Sequence, residues 1–394
     1  MKIRFLYLLP VFMVACTKFQ PAAPADDQVL DGPLDGLTAE QRLQFLRGDV
    51  AFNNEVFTKE TGLGPLFVST SCGSCHAGDG KGHPFTTLTR FGQVDETGNR
   101  FLQAGGPQLQ HRAIQGYQPE QLPAGAAFSR FTPPANTGLG LLDAVPDSLI
   151  LALADPQDTD GDGISGVPNW IVPKNYVRPR VGGILRNGRA IGRFGKKAAT
   201  YDLLQQTAVA YNEDIGITSV YEPTDTYSGE ESDPEIATQK ISDIVFYLRT
   251  LKAPVQREAN STQIKEGREI FITAKCAGCH RPELRTGYSP VSSLSYVTFQ
   301  PYTDLLLHDM GNELNDGYTE GSAKAPEWRT PPLWGLGLSR NSQGGKYYLL
   351  HDGRAASIDQ AINLHGGEAS RSRNNYRALS PTEKQKLLNF LESL

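Results

Sequence analysis

Apolar positions recur with helical spacing at two places along this chain, and a further helix precedes each. Ile241, Ile244, Val245, Leu248 and Leu251 fall at i, i+3, i+4, i+7 and i+10, a stripe that predicts a buried helix face. Asp233-Pro234, an N-cap followed by Pro at the first helical position, reads as its start. Leu387, Leu388, Leu391 and Leu394 repeat the pattern behind Ser380-Pro381-Thr382-Glu383, which combines an N-cap, an N1 Pro and a capping-box Glu. Two further helices precede these. One opens at Thr38-Ala39-Glu40-Gln41 and runs past Gly48 and Phe52; the other opens at Asn260 or Ser261 and runs through Ile264, Gly267, Ile270 and Phe271. Gly-x-x-x-Phe occurs in both, so the chain carries one plan twice: an entry helix and a closing amphipathic helix.

Between the members of each pair lie loop-rich stretches, roughly 85–235 and 282–345, with short and scattered strand signals. Gly (40) and Pro (26) make up about 17% of the 394 residues, above the usual ~12%, which also points to long loops. The expected fold is mainly α, with two units of similar plan, 37–253 and 254–394. Pro254, which stops the helix before it, marks the boundary.

The N-terminus follows different rules. Lys2 and Arg4 precede an apolar run from Phe5 to Ala15, too short for the ~20 residues that span a bilayer but suited to a signal peptide over 1–15. Phe12-Met13-Val14-Ala15-Cys16 resembles the lipobox of bacterial lipoproteins, with Cys16 the lipidated first residue and Met13 where Leu is commonest. Residues 16–36, rich in Ala, Pro and Asp, read as a flexible tether. These features imply lipid anchoring in a Gram-negative envelope, at the outer membrane, with the body in the periplasm or at the surface. A net charge of −5 gives no case for nucleic-acid binding.

Cysteine placement carries the chemistry. Each entry helix leads into Cys-x-x-Cys-His, at Cys72-Gly73-Ser74-Cys75-His76 and at Cys276-Ala277-Gly278-Cys279-His280. Five Cys and seven His would produce such a pattern about 0.001 times by chance. Two thiols one helical turn apart can add to the vinyl groups of a haem, and the next imidazole then faces the iron. Two covalent haem c groups are expected, with His76 and His280 as proximal ligands. Only Cys16 is left over, so neither a disulfide framework nor a thioredoxin-type dithiol is available. Function turns on the opposite faces of the irons, because a second strong ligand makes a relay and an open face permits chemistry. His365 lies on the apolar side of a helix that begins at the Ser357-x-x-Gln360 capping pattern. By pattern alone it reads equally as a ligand and as a core histidine bonded to a carbonyl. Asp158-Thr159-Asp160-Gly161-Asp162-Gly163 resembles the start of a calcium loop, with Asp158, Asp160 and Asp162 converging, but no acid closes it; a metal-free turn is the alternative.

Trp328-Arg329-Thr330-Pro331-Pro332-Leu333-Trp334 and Leu350-His351-Asp352-Gly353-Arg354 resemble the second haem unit of bacterial di-haem cytochrome c peroxidases and of the methylamine dehydrogenase maturation enzyme. Over 38–394 the chain is closer to the peroxidase-like di-haem oxidoreductases, some of them called thiol oxidoreductases. That resemblance rests on Leu109-Gln110-His111-Arg112-Ala113-Ile114, Gly138-Leu139-Gly140-Leu141-Leu142, Ile191-Gly192-Arg193-Phe194-Gly195-Lys196-Lys197-Ala198 and Asp304-Leu305-Leu306-Leu307-His308-Asp309-Met310-Gly311. It implies two cytochrome c-like units and an electron-donor protein. It also implies peroxide, or a protein or small-molecule partner, as the reactant.

By the same resemblance the distal ligand of the second haem stands fourteen residues after His351, which is His365. His308 and Arg329 fall near that haem, as orienting residues or propionate partners; His351 and Met310 read as structural. The peroxidases place a Glu over the first haem, and no Glu here matches it. Gln108, Gln110, His111 and Arg112 are the candidate catalytic groups there, beside an open face; His83 is a weaker candidate ligand. An aromatic bridges the haems in the relatives, and Trp170 is the candidate bridge. The alternative is a pure electron-transfer protein with both irons six-coordinate.

Overall fold

The computed structural model describes residues 29–95 and 106–394, together with residues 25, 98, 99 and 101. The signal peptide, Cys16 and most of the tether lie outside the described residues.

Six helices frame the molecule: α1 (Ala39–Asn53), α2 (Leu203–Ile215), α3 (Thr238–Thr250), α4 (Thr262–Thr273), α5 (Ile358–Asn363) and α6 (Pro381–Ser393). Their starts follow local chemistry. Thr38 and Gln41 close a capping box on α1, Ser380 and Glu383 close another on α6, and the Ser261 hydroxyl accepts from Ile264 N on α4. The start of α3 differs from the sequence expectation. Asp233-Pro234 precedes the helix, and Ala237 is its N-cap. The intervening stretch is tied elsewhere, since Glu235 N donates to the Thr218 carbonyl and Thr218 N donates back to the Glu235 carboxylate.

α1 packs on α3 and α4 packs on α6, so the two-fold plan is real. The sheets are small: five pairs of strands and one three-stranded sheet among the described residues. Leu88–Phe91 pairs antiparallel with Phe128–Phe131, and Leu307–Asp309 pairs antiparallel with Glu327–Arg329.

The hydrophobic cores do not respect the boundary at Pro254. Ile264, Phe271, Ile358, Leu387, Phe390 and Leu391 form a core of their own. Leu284, Leu294, Phe299, Leu305, Leu306 and Trp334, which follow the boundary, instead join the core of Phe45, Phe52, Ile241 and Leu248. The 282–345 segment therefore welds the units together. The end of the tether is also engaged: Leu34 N donates to the Thr250 carbonyl and Lys252 N to that of Gly32.

Candidate haem sites

Each Cys-x-x-Cys-His sits on a single turn that its own sequence prepares. The Ser71 hydroxyl caps the turn Cys72–Cys75 by accepting from Ser74 N, 3.3 Å. In the second motif, Lys275 takes a positive φ of 69° and aims the chain into the 3-10 turn Cys276–Gly278. All four thiols are free and half-buried. Burial pushes the Cys72 and Cys276 thiols up to about 12.

The two motif histidines are hung alike. His76 places Nδ1 2.9 Å from the carbonyl of Pro134, and His280 places Nδ1 2.9 Å from the carbonyl of Tyr302. A backbone carbonyl at Nδ1 fixes the proton there and leaves Nε2 with its lone pair outward, as a metal-ligating imidazole requires. Burial, opposed by that hydrogen bond, pushes both imidazoles down to about 4. Both are therefore neutral at ordinary pH. His365 has the same arrangement, with Nδ1 2.7 Å from the Ala361 carbonyl one turn back and burial again lowering its basicity. It lies close enough to His280 that a proton on either imidazole would be disfavoured by one on the other. Three neutral imidazoles with free Nε2 atoms and two pairs of free thiols fit a haem at each motif.

His308 is placed beside the second motif, its Nδ1 3.6 Å from Cys279 Sγ. It is not a free donor. Asp304 holds Nε2 at 2.9 Å and Glu368 holds Nδ1 at 2.7 Å, and these carboxylates raise the buried imidazole well above its usual value. His308 is a charged clamp. His351 is structural as well: it stacks on Trp328 at 3.7 Å and binds Asp316 at 2.8 Å. Arg329 donates Nε to the Gly195 carbonyl.

At the first site the expected catalytic group disperses. His111 and Arg112 are exposed. Gln110 is buried but fully engaged, donating to the Asn212 and Glu213 carbonyls and accepting from Thr226. Gln108 is buried beside Arg90, and its amide nitrogen has no partner. His83 accepts from Phe85 N and packs between the Phe85 and Tyr348 rings, the posture of a loop brace. Trp170 is not placed as a bridge: it lies in the three-stranded sheet opposite Ile191, under the Arg186 guanidinium.

Asp214, at the end of α2, is the acid that sequence reading missed. Its carbonyl accepts from Val68 N and Ser69 N, just ahead of the first motif. Its charge is felt by Cys72 and Cys75. Burial, helped by Glu213 and opposed by Arg90, pushes its carboxyl up to about 7. It lies more than a hundred residues from the motif, so no spacing announces it.

The calcium candidate is rearranged. Carboxylate oxygens of Asp155, Asp158 and Asp160 gather within 4.8 Å of one another, whereas Asp162 turns to accept from Ile164 N. Backbone amides of the turn also occupy Asp155, Asp158 and Asp160.

The model of the family described as "Di-haem oxidoreductase, putative peroxidase" matches residues 129–394. The chain belongs to this di-haem oxidoreductase family. The match begins downstream of the first Cys-x-x-Cys-His and includes the second. Three solved structures are similar at low identity. They are hydrazine synthase from Kuenenia stuttgartiensis (14% identity, 100% of each chain, TM-score 0.41), a MauG-like protein associated with microbial copper homeostasis (14%, 95% of each, 0.42) and the diheme peroxidase BthA from Burkholderia thailandensis (15%, 89% of this chain and 86% of that one, 0.39). Among curated proteins, none matches.

Proposed function

We propose that this di-haem oxidoreductase is an exported, peroxidase-like enzyme with haem c bound at both motifs. Cys72 and Cys75 would hold the first haem and Cys276 and Cys279 the second, and His76 and His280 would each ligate an iron. His365 would add a second ligand at the second motif, leaving the first without one. The observation that carries this reading is the shared posture of His76, His280 and His365, each with Nδ1 on a backbone carbonyl and Nε2 free.

When bound, a haem with an open face supplies a place for peroxide reduction, and a six-coordinate haem supplies a one-electron relay. The protein's own part is positioning and proton handling. Pro134 and Tyr302 fix the tautomers of the proximal histidines. The Asp304–His308–Glu368 clamp holds its charge against Cys279 and fixes the second motif in place. Asp214 supports an acid–base role at the first motif, because a carboxyl poised near 7 can both give and take a proton at neutral pH. Electrons would come from a donor protein at the envelope, where the lipobox at Cys16 would anchor the chain.

Electron paramagnetic resonance of the purified ferric protein tests the reading. One high-spin and one low-spin haem, with peroxide turnover, is the expected result. Two low-spin haems without turnover would leave only electron transfer.

A further inference from the structure

Three cations meet between the motifs without a counter-charge. Lys81 follows the first motif, Lys196 lies in the loop after Ile191, and Arg329 ends the strand Glu327–Arg329. Short contacts bring them together. Arg329 N donates to the Lys196 carbonyl at 3.0 Å, and Lys196 Nζ donates to the Thr132 hydroxyl at 3.4 Å. Gly82 N donates to the Pro133 carbonyl at 3.0 Å, which sets Lys81 against the same segment. That segment continues to Pro134, whose carbonyl carries His76. On the other side Thr330 donates to the Leu306 carbonyl and its own carbonyl accepts from Thr303, next to the Tyr302 that carries His280. The cluster thus spans the two proximal supports.

Among the described residues no carboxylate forms an ion pair with any of the three. The acids whose charge reaches them are committed elsewhere: Asp352 pairs with Arg354 at 2.7 Å and Asp304 with His308 at 2.9 Å. Burial, with Lys81 and Arg329 as like charges, pushes Lys196 down to about 7. Burial alone pushes Lys81 down to about 8. Repelling, desolvated cations are costly unless an anion completes the site. The proximal supports on either side make that anion one carried by the haems themselves.

We propose that Lys81, Lys196 and Arg329 form one anion-binding cluster between the haem sites, occupied by haem propionate carboxylates. The proposal rests on haem attachment at both motifs and not on peroxide reactivity. A positive charge near a haem favours its reduced form, so the cluster raises the potential of the haem whose propionates it holds.

The test is spectroelectrochemical titration of the holoprotein carrying Lys196→Met, Lys196→Arg or Lys81→Met. Lys196→Met is expected to weaken reduction of one haem about tenfold, a fall of about 59 mV for a one-electron couple. Lys81→Met is expected to lower the same haem, and Lys196→Arg to restore the wild-type value. Unchanged potentials in both Met variants would overturn the proposal. If Lys196→Met fails to retain haem, Lys196→Arg decides: wild-type haem content and potential support the proposal, and loss of haem in that variant too overturns it. Addition of inorganic phosphate to the wild type at constant ionic strength should leave both potentials in place. A shift as large as that of Lys196→Met would mean a free anion fills the cluster, also overturning it. Absence of a c-type pyridine haemochrome band from the wild type would refute the haem reading instead, a separate outcome.

Discussion

Gly48 and Gly267 occupy the same place in two copies of one helix crossing. A methyl group on Gly48 in α1 would stand 2.2 Å from the Asp243 carbonyl oxygen of α3, and one on Gly267 in α4 would stand 2.2 Å from the Lys386 carbonyl oxygen of α6. Four residues on, Phe52 packs on Tyr247 at 5.6 Å between ring centroids and Phe271 on Phe390 at 5.5 Å. Each glycine lets a pair of backbones close, and each phenylalanine fills the space behind the haem motif that follows.

Gly267→Ala should therefore destabilise the protein despite the better helix propensity of Ala, worth about 1 kcal/mol. The added methyl meets backbone, which cannot rotate away, and overpacking of this kind costs about 1–3 kcal/mol. The expected outcome is a lower urea midpoint. An unchanged or higher midpoint would show that α4 and α6 separate freely.

His365→Ala removes the imidazole proposed for the far face of the second haem. The expected result is conversion of one low-spin ferric signal to high-spin, with haem content preserved. His308→Ala serves as the contrast: both nitrogens of His308 are taken by carboxylates, so its loss should leave the spin states alone. Two unaltered low-spin signals in the His365 variant would remove that residue from the iron.

Asp214→Asn tests proton handling at the first site. A carboxyl raised to about 7 by burial is protonated below that pH and ionised above it. Peroxide turnover should show a limb near pH 7 in the wild type. The variant should lose that limb and about 10²-fold in rate, the usual scale for a general acid–base group. A variant with wild-type rate and pH profile would exclude Asp214 from the reaction.

Much of the frame was legible because it is local. The caps at Thr38, Ser261 and Ser380, the stripes of α3 and α6 and the two Cys-x-x-Cys-His turns are all set by residues within a few positions of one another. What sequence could not show depends on distant chain segments. Asp233-Pro234 has the chemistry of a helix start, but the Glu235–Thr218 ties hold the stretch extended and move the cap to Ala237. Gln108, Gln110, His111 and Arg112 are neighbours along the chain, yet packing against distant segments buries the two glutamines and leaves His111 and Arg112 exposed. The acid beside the first motif and the three cations between the motifs come from four separate stretches, and only packing assembles them.

Glu368 offers a test through pH. Its carboxylate accepts from His308 and from Ser165 N and Oγ, and it also takes Asp309 N, so it bolts the 158–165 turn to the second haem site. Burial alone would raise this acid, but the hydrogen bond and charge of His308 outweigh burial and hold it down to about 2. A carboxyl depressed in the folded state stabilises above its unfolded value, near 4.3, and that stability is lost as pH falls through the folded value. Wild-type stability should accordingly decline between about pH 4.3 and 2. Glu368→Gln keeps much of the geometry but cannot pair with a charged His308. Its stability should be lower at neutral pH and flatter across the acid range, as read from urea midpoints measured at each pH. Parallel curves for the two proteins would mean that the Glu368 charge does not support the clamp.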